Sequence, residues 1–399
     1  MVKNKIIYTG AFRFPIGDAA AARVLNNAKI LRELGYDVVF ISFGGEAREE
    51  DKQSDGQYYY QGFPYILSND IDIPESNIIK RIIRFLFSGR KALSIINNNL
   101  KNVHSIIAYQ PSSYFTKKLL ALCKNHSIQL ITDLTEWYSP NEFPGGAFAP
   151  PAWLNEWNMR VTQKRVKSKI LISSFLNHFY HDSNNAVLPP LTDSKEDKWN
   201  IYKEVMTKFD GVRIIYAGTP GKKDALEKML DAVIHCLNNG LKLQFVVLGV
   251  KKEDISHYKN SKEVTNFSSN IILCGRVPQT EVPSYYHVSD FSLLMRERNR
   301  KNMAGFPTKF AESNMAGCPV IINDTSDIRS FVENGVNGFL IPNFSLTEII
   351  RTLGKVVQLP PETIARMKTN TKEKALKNFD FRAYIEEMKK IIQKNDFRN

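Results

Sequence analysis

Cysteine is scarce: the 399-residue chain has four, Cys123, Cys236, Cys274 and Cys318, scattered with no C-x-x-C pair. That spacing favours reduced, buried thiols over disulfides or a metal site. No apolar run reaches the ~18 residues that a membrane-spanning helix needs. The opening "MVKNKIIYTGAF" lacks the long apolar region and small-residue cleavage site of a secretory leader. G-x-G-x-x-G is also missing, and no acidic residue ends the second strand as a ribose ligand, so a NAD site is poorly supported. The i,i+3 histidines His178 and His181 have no nearby carboxylate ligands and read as surface residues, so no metal is expected.

What the chain does have is basic charge and alternation. The net charge of +13 suits phosphorylated metabolites, anionic lipid or nucleic acid, or simply a lysine-rich solvated surface. No zinc-finger, helix-turn-helix or aromatic RNA-binding signature accompanies it, which argues against nucleic acid. Strand-like runs ("KIIYTG", "YDVVFISF", "HSIIAYQ", "IQLITDLTE", "KSKILISS") alternate with helix-like ones such as "AAAARVLNNAKILRELG". A second series follows: "VRIIYAG", "DALEKMLDAVIHCLNNG", "LKLQFVVLGV", "NIILCGRV", "TEVPSYYHVS", "DFSLLMRE", "CPVIIN", the helix "SDIRSFVENG" and "NGFLIP". Strand, helix, strand with short connections implies parallel βαβ units. The fold class is therefore α/β, with two Rossmann-like doubly wound domains facing a cleft. The expected divisions are 1–190, a linker over 191–210, a second domain over 211–375, and a terminal helix over 376–399 able to pack back on the first domain.

In such sheets ligands gather at the carboxyl ends of the strands, and several residues stand there. Gly17 lies in the first strand-to-helix loop, where a helix N-terminus offers free amides to a phosphate; Asp18 as a simple N-cap is the alternative. The matching loop of the second half, "YAGTPGKKDAL", holds Gly218, Lys222 and Lys223. Two lysines at a helix N-terminus oppose its dipole unless they face an anion. Arg296 ends the strand "DFSLLMRE", and its planar fork suits a diphosphate. After Gly305 and Phe306, Pro307 and Thr308 open a helix whose face carries Lys309 and, one turn on, Glu312. Glu312 sits among packed residues and needs a definite hydrogen-bond partner, which a ribose diol would supply. On the other half, Asp133 and Glu136 follow a strand as a general base or acceptor clamp, or as turn and surface residues. Tyr109 ends a central strand.

The stretch "AGFPTKFAESNMAGCPVIINDTSDIRSFVENGVNGFLIP" resembles the C-terminal signature of group-one (family four) retaining glycosyltransferases of the GT-B fold. Their pattern runs E-G-F-G-x-x-x-x-E-A-x-A-x-G-x-P-V-I and later D/N-G-x-N-G-x-L-V/I-P. Gly305, Phe306, Glu312, Ala316, Gly317, Pro319, Val320, Ile321, Gly335, Asn337, Gly338 and Pro342 match. The resemblance extends along the chain, through "LRELGYDVVFIS", "VLPPLTD" and "MLDAVIHCL". It implies that Glu312 holds the donor ribose and that Lys223 or Lys222 grips the donor diphosphate. It also implies no metal and no cofactor beyond the nucleotide sugar. Two family residues are absent: Thr219 replaces the arginine after the strand glycine, and Ala304 replaces the first glutamate, which touches the sugar. Arg296 and Lys309 would take over part of the phosphate work, Arg276 and Val277 lie where backbone groups would meet the base, and Asp133 is the candidate base.

The expectation is a cytoplasmic enzyme at the inner face of the membrane. It would move a sugar from a nucleotide diphosphate sugar to a glycan or lipid-linked acceptor in cell-surface polysaccharide synthesis. "IIKRIIRFLFSGRKALSII" and the aromatic loop with Phe143, Phe148, Trp153 and Trp157 point to an anionic membrane surface. A core-facing helix and an aromatic acceptor lid are the plainer readings. A sugar-nucleotide epimerase and a non-catalytic basic binding protein on the same fold are the alternatives.

Overall fold

The computed structural model describes residues 4–71, 88–143, 145–219 and 224–393. Lys222 and Lys223, and the basic residues Lys80, Arg81 and Arg84 of the proposed interfacial helix, lie outside them. The chain forms two compact units, residues 1–191 with 381–399, and residues 192–380.

The first unit is built on an eight-stranded sheet in the order β3-β4-β2-β1-β5-β6-β7-β8. The strands are β1 (Lys5–Phe14), β2 (Asp37–Gly45), β3 (Tyr58–Tyr60), β4 (Phe63–Leu67), β5 (Val103–Tyr109), β6 (Gln129–Leu134), β7 (Ser168–Leu171) and β8 (Asn184–Val187). All pair in parallel except β3 with β4. That hairpin went unread in the sequence although its turn is explicit. Gln61 (φ 49°) and Gly62 (φ 80°) both take the left-handed region that a two-residue turn needs. Helices α1 (Ala19–Glu33), α2 (Ser113–His126) and α3 (Pro150–Trp157) are the ones that matter below.

The last stretch of chain belongs here. Phe381, Met388, Ile391 and Ile392 are buried in one cluster with Ile6, Phe40, Ile107 and Ile131 of the sheet. Gln129 on β6 donates to the Ile391 carbonyl at 3.0 Å. The amphipathic final helix Ile385–Gln393 buries its apolar stripe in the first unit, although the unit's other residues end at Leu191.

The second unit holds six parallel strands in the order β11-β10-β9-β12-β13-β14. They are β9 (Val212–Ala217), β10 (Leu243–Leu248), β11 (Ile271–Gly275), β12 (Phe291–Leu294), β13 (Val320–Asn323) and β14 (Gly338–Ile341). Helix α4 (Leu226–Asn238) follows β9, α5 (Thr308–Met315) precedes β13, and α6 (Pro361–Asn378) closes the unit. Strand order reverses between β9 and β12, which makes their carboxyl ends the switch point of this sheet. Residues 192–210 are no free linker: Trp199 is buried, and the Thr192 amide donates to the Phe379 carbonyl at 2.7 Å inside the same unit. The helix expected over "SDIRSFVENG" shrinks to one tight turn, Ile328–Ser330. The Asn337 side chain takes over the backbone there, donating to the Phe331 carbonyl and accepting from the Glu333 amide, each at 2.8 Å.

A polar knot ties the first unit together. Arg23 of α1 and Asp133 of β6, 4 % and 0 % exposed, form a two-pronged ion pair with its shortest contact 2.8 Å. The Tyr8 hydroxyl donates to the same carboxylate at 2.7 Å, and Asn27 donates to both Tyr8 Oη and Asp133. Arg23 spends another N–H on the Leu188 carbonyl at 2.9 Å. Asp133→Ala would strand a buried guanidinium and should cost roughly 3–5 kcal/mol. Urea unfolding followed by circular dichroism measures it; a loss under about 1 kcal/mol contradicts the assignment.

Candidate functional site

The geometry separates the candidate residues sharply. Asp133 is corrected: its carboxylate is sealed under Arg23, Tyr8 and Asn27, so it has no face for a substrate hydroxyl. Tyr109 is corrected too. Its ring packs edge-on to Phe12 in the core, its hydroxyl pairs with Thr135 at 3.1 Å, and burial raises its pKa above the ordinary range. Glu136 is half-buried and bonded by the Tyr138 hydroxyl, while Gln110 donates to its carbonyl at 2.7 Å. Nor does the structure build an open phosphate loop at Gly17. β1 runs on to Phe14, and Asp18 caps α1 by accepting from the Ala21 amide at 2.8 Å, so that helix end already has its anion. His178 and His181 hold no ligand set; among the described residues no cluster could hold a metal ion.

The second unit brings its candidates together at the β9/β12 switch point. Arg296, two residues beyond β12, and Lys309, in the first turn of α5, converge on one carboxylate, Asp224, just before α4. Arg296 Nε lies 3.2 Å from Asp224 Oδ1, and Lys309 Nζ donates to Oδ2. The Tyr216 hydroxyl donates to Oδ2 at 2.9 Å and accepts from Lys309 at 2.9 Å. Asp224 and Arg296 also pair through a backbone bridge, and the Ala225 amide donates to the Met295 carbonyl at 2.9 Å. Asp224 was not singled out in the sequence, because the lysines beside it drew the reading of that loop.

Glycine makes this convergence possible. Gly218 (φ 140°) ends β9, and a Cβ there would meet Lys309 Cε at 2.2 Å, so the lysine stem crosses the space a side chain would fill. At the end of β10, Gly249 (φ 81°) abuts the Gly218 backbone so closely that a Cβ would lie 2.7 Å from its carbonyl carbon. Helix α5 opens on Pro307 with no side-chain cap; the Phe310 amide turns back to the Pro307 carbonyl at 3.0 Å, which leaves the Thr308 and Lys309 amides at the helix start for a ligand. Pro307 is buried and Thr308 half-buried; Arg276 is exposed and Val277 half-buried beyond β11.

Burial would push the Asp224 carboxyl up, but the Lys309 and Arg296 cations outweigh it and hold it below the usual range. The Lys309 ammonium is pulled down by burial, with Asp224 opposing that loss. Burial raises the Glu312 carboxyl, against the pull of Lys198 and Lys309. Glu312 accepts no side-chain hydrogen bond among the described residues, in contrast to Asp224. Ala304, at the family's first-glutamate position, is fully buried.

Residues 197–374 match the family model described as Glycosyl transferases group 1. The second unit therefore carries a group 1 glycosyl transferase domain, and the whole chain has the GT-B fold. A stretch of 173 residues is 22 % identical to the putative colanic acid biosynthesis glycosyltransferase WcaL of Salmonella typhimurium. That match spans 43 % of this chain and 42 % of the relative, less than half of the curated protein it matches. Sucrose-phosphate synthase of Thermosynechococcus elongatus superposes with a TM-score of 0.71 at 13 % identity, covering 97 % of both chains. HepE of Anabaena, solved in complex with UDP and glucose, gives a TM-score of 0.69 at 13 % identity over 99 % of this chain and 100 % of that one.

A raised carboxyl at Glu312 has a thermodynamic signature. Between its unfolded and its raised folded pKa the folded state holds more protons, so stability falls as pH rises through that window. Glu312→Gln should therefore melt above the wild-type chain at pH 7.5, with the difference vanishing at pH 4. A variant that melts lower at pH 7.5 contradicts the assignment.

Proposed function

We propose that the chain is a retaining glycosyltransferase that moves a sugar from a nucleoside diphosphate sugar to a hydroxyl of a glycan or lipid-linked saccharide in cell-surface polysaccharide synthesis. One observation carries it: Lys309 and Arg296 meet at the switch point, above a glycine-cleared strand end and beside an uncapped helix start. Breaking the bond between the anomeric carbon and the diphosphate oxygen puts charge on the leaving group. Two preorganised cations and a helix N-terminus stabilise that charge where it builds. The acceptor hydroxyl then bonds to the anomeric carbon on the face the diphosphate leaves, and its proton passes to the departing phosphate. Glu312, whose carboxylate has no side-chain hydrogen bond among the described residues, accepts hydrogen bonds from the ribose hydroxyls and orients the nucleotide.

The described sugar-side position is apolar because Ala304 supplies no carboxylate, so the sugar's hydroxyls must find their acceptors elsewhere. The related HepE structure holds UDP and glucose, and the WcaL relative is described as a colanic acid glycosyltransferase; both favour a nucleotide sugar and a polysaccharide setting. On α3 and the turn before it, Phe148, Trp153 and Trp157 are 88 %, 61 % and 51 % exposed. The amphipathic tryptophan rings favour a membrane–water interface and Phe148 adds apolar area beside them, which supports a lipid-linked acceptor at the inner membrane face. Among the described residues no helix is long and apolar enough to cross a membrane.

Calorimetric titration with UDP, GDP and a salt-matched RNA tests the reading. Saturable binding of one nucleoside diphosphate, weakened at least about tenfold by Lys309→Met or Glu312→Gln, is expected, because each removes a charged hydrogen bond worth roughly 1.5–3 kcal/mol. RNA binding with a steep salt slope and no nucleotide preference contradicts it. Co-sedimentation with phosphatidylglycerol vesicles should fall at least about threefold in Trp153→Ser/Trp157→Ser, since each ring contributes apolar area at the interface. Undiminished pelleting removes the interfacial role.

A further inference from the structure

We infer that Asp224 is a positioning residue that stands in for the diphosphate, holding Lys309 charged and beside Arg296 until the ligand's phosphates take both cations over. This rests on the nucleoside diphosphate reading of the site. Three observations point to it. One carboxylate takes both cations, Arg296 on Oδ1 and Lys309 on Oδ2, and the Tyr216 hydroxyl pins Oδ2 from a further side. Asp224 is itself 8 % exposed, yet it lies at the carboxyl end of the sheet, just ahead of α4, where an anionic ligand of this fold collects. Gly218 leaves open the corridor that Lys309 crosses to reach it, so the chain has cleared space to bring that cation to that carboxylate.

Two cations share one hydrogen-bonded carboxylate, and Glu312 faces Lys309 without a hydrogen bond to it. A diphosphate carries more negative charge and more acceptor oxygens than the Asp224 carboxylate, so it gains by displacing it from the cations. The groups that face Lys309 are Asp224, Tyr216, Arg296 and Glu312. Burial and Arg296 both push its proton off, and Tyr216, whose own pKa burial raises, stays a neutral acceptor. Asp224 is the hydrogen-bonded anion that keeps the ammonium charged. A residue that merely held the fold would have no effect on the protonation of the ligand-binding lysine.

The 399-residue chain is titrated with UDP and GDP at about pH 6.5, 7.5 and 8.5, in buffers of differing ionisation heat. Wild-type affinity should vary by no more than about twofold across that range, with little proton uptake. Asp224→Asn should bind with proton uptake and weaken by at least about fivefold from the lowest to the highest pH, as Lys309 turns toward the neutral amine. Asp224→Glu should restore the flat profile, and so should Asp224→Asn/Lys309→Arg, because arginine does not titrate there. An Asp224→Asn profile parallel to wild type, weaker at every pH alike, overturns the inference as a structural effect. Should that variant not fold, the Lys309 side-chain carbon signal of the wild-type chain, assigned by its loss in Lys309→Arg, decides. It should shift when the nucleotide is added, and a signal that stays put overturns the inference. A wild-type chain that binds neither nucleotide overturns the donor-site reading and this inference with it, whereas wild-type binding with an unaltered Asp224→Asn profile overturns this inference alone.

Discussion

Everything specific about the second unit depends on where two buried-side cations find their counter-charge. A lysine and an arginine brought together inside a protein repel each other and lose hydration. Here they tolerate proximity because Asp224 lies between them, braced by Tyr216. Glycine at the end of β9, an uncapped helix start at α5 and the reversal of strand order between β9 and β12 all serve that one arrangement. It positions positive charge at the place where a doubly wound sheet receives its ligand.

The first unit uses the same chemistry to the opposite end. Arg23 and Asp133 also form an ion pair at the heart of a parallel sheet, and a tyrosine braces it as well. There the carboxylate is bonded on both oxygens and enclosed, and the guanidinium also reaches the Leu188 carbonyl. One cation balances one anion, so no charge remains for a ligand. In the second unit two cations share one hydrogen-bonded carboxylate at the carboxyl end of the sheet, where a polyanion would offer each of them further acceptor oxygens. The number of cations sharing each carboxylate separates the two clusters more surely than residue type does.

The alternation of strand and helix, the two units and the residues at the mouth of α5 were legible in the sequence. They follow from local periodicity and from the rule that ligands meet the carboxyl ends of strands. Arg296 and Lys309 were singled out that way, and the structure brings them together on Asp224. Asp224 was not, since its role comes from partners 72 and 85 positions away in the chain and no spacing marks it. A carboxylate placed directly after two lysines and before a helix was the available signal, and the lysines hid it. Asp133 misled for the converse reason: a strand-end carboxylate looks the same in sequence whether it faces solvent or an arginine on the neighbouring helix. A terminal helix over 376–399 packing back on the first domain was an expectation, and residues 381–393 do pack into the first unit; the absorption of residues 192–210 into the second unit was not expected. Tryptophan burial and scattered hydrogen bonds to Phe379, Asp380, Ser284 and Lys372 decide the latter, and neither has a periodic signature.

The most direct measurement is a crystal structure of the chain soaked with a nucleoside diphosphate. The account predicts the two phosphates at the β9/β12 end of the second unit's sheet, with Lys309 Nζ and the Arg296 guanidinium turned from Asp224 onto phosphate oxygens and the ribose hydroxyls on Glu312. A nucleotide bound elsewhere, with Lys309 and Arg296 still paired to Asp224, would contradict it.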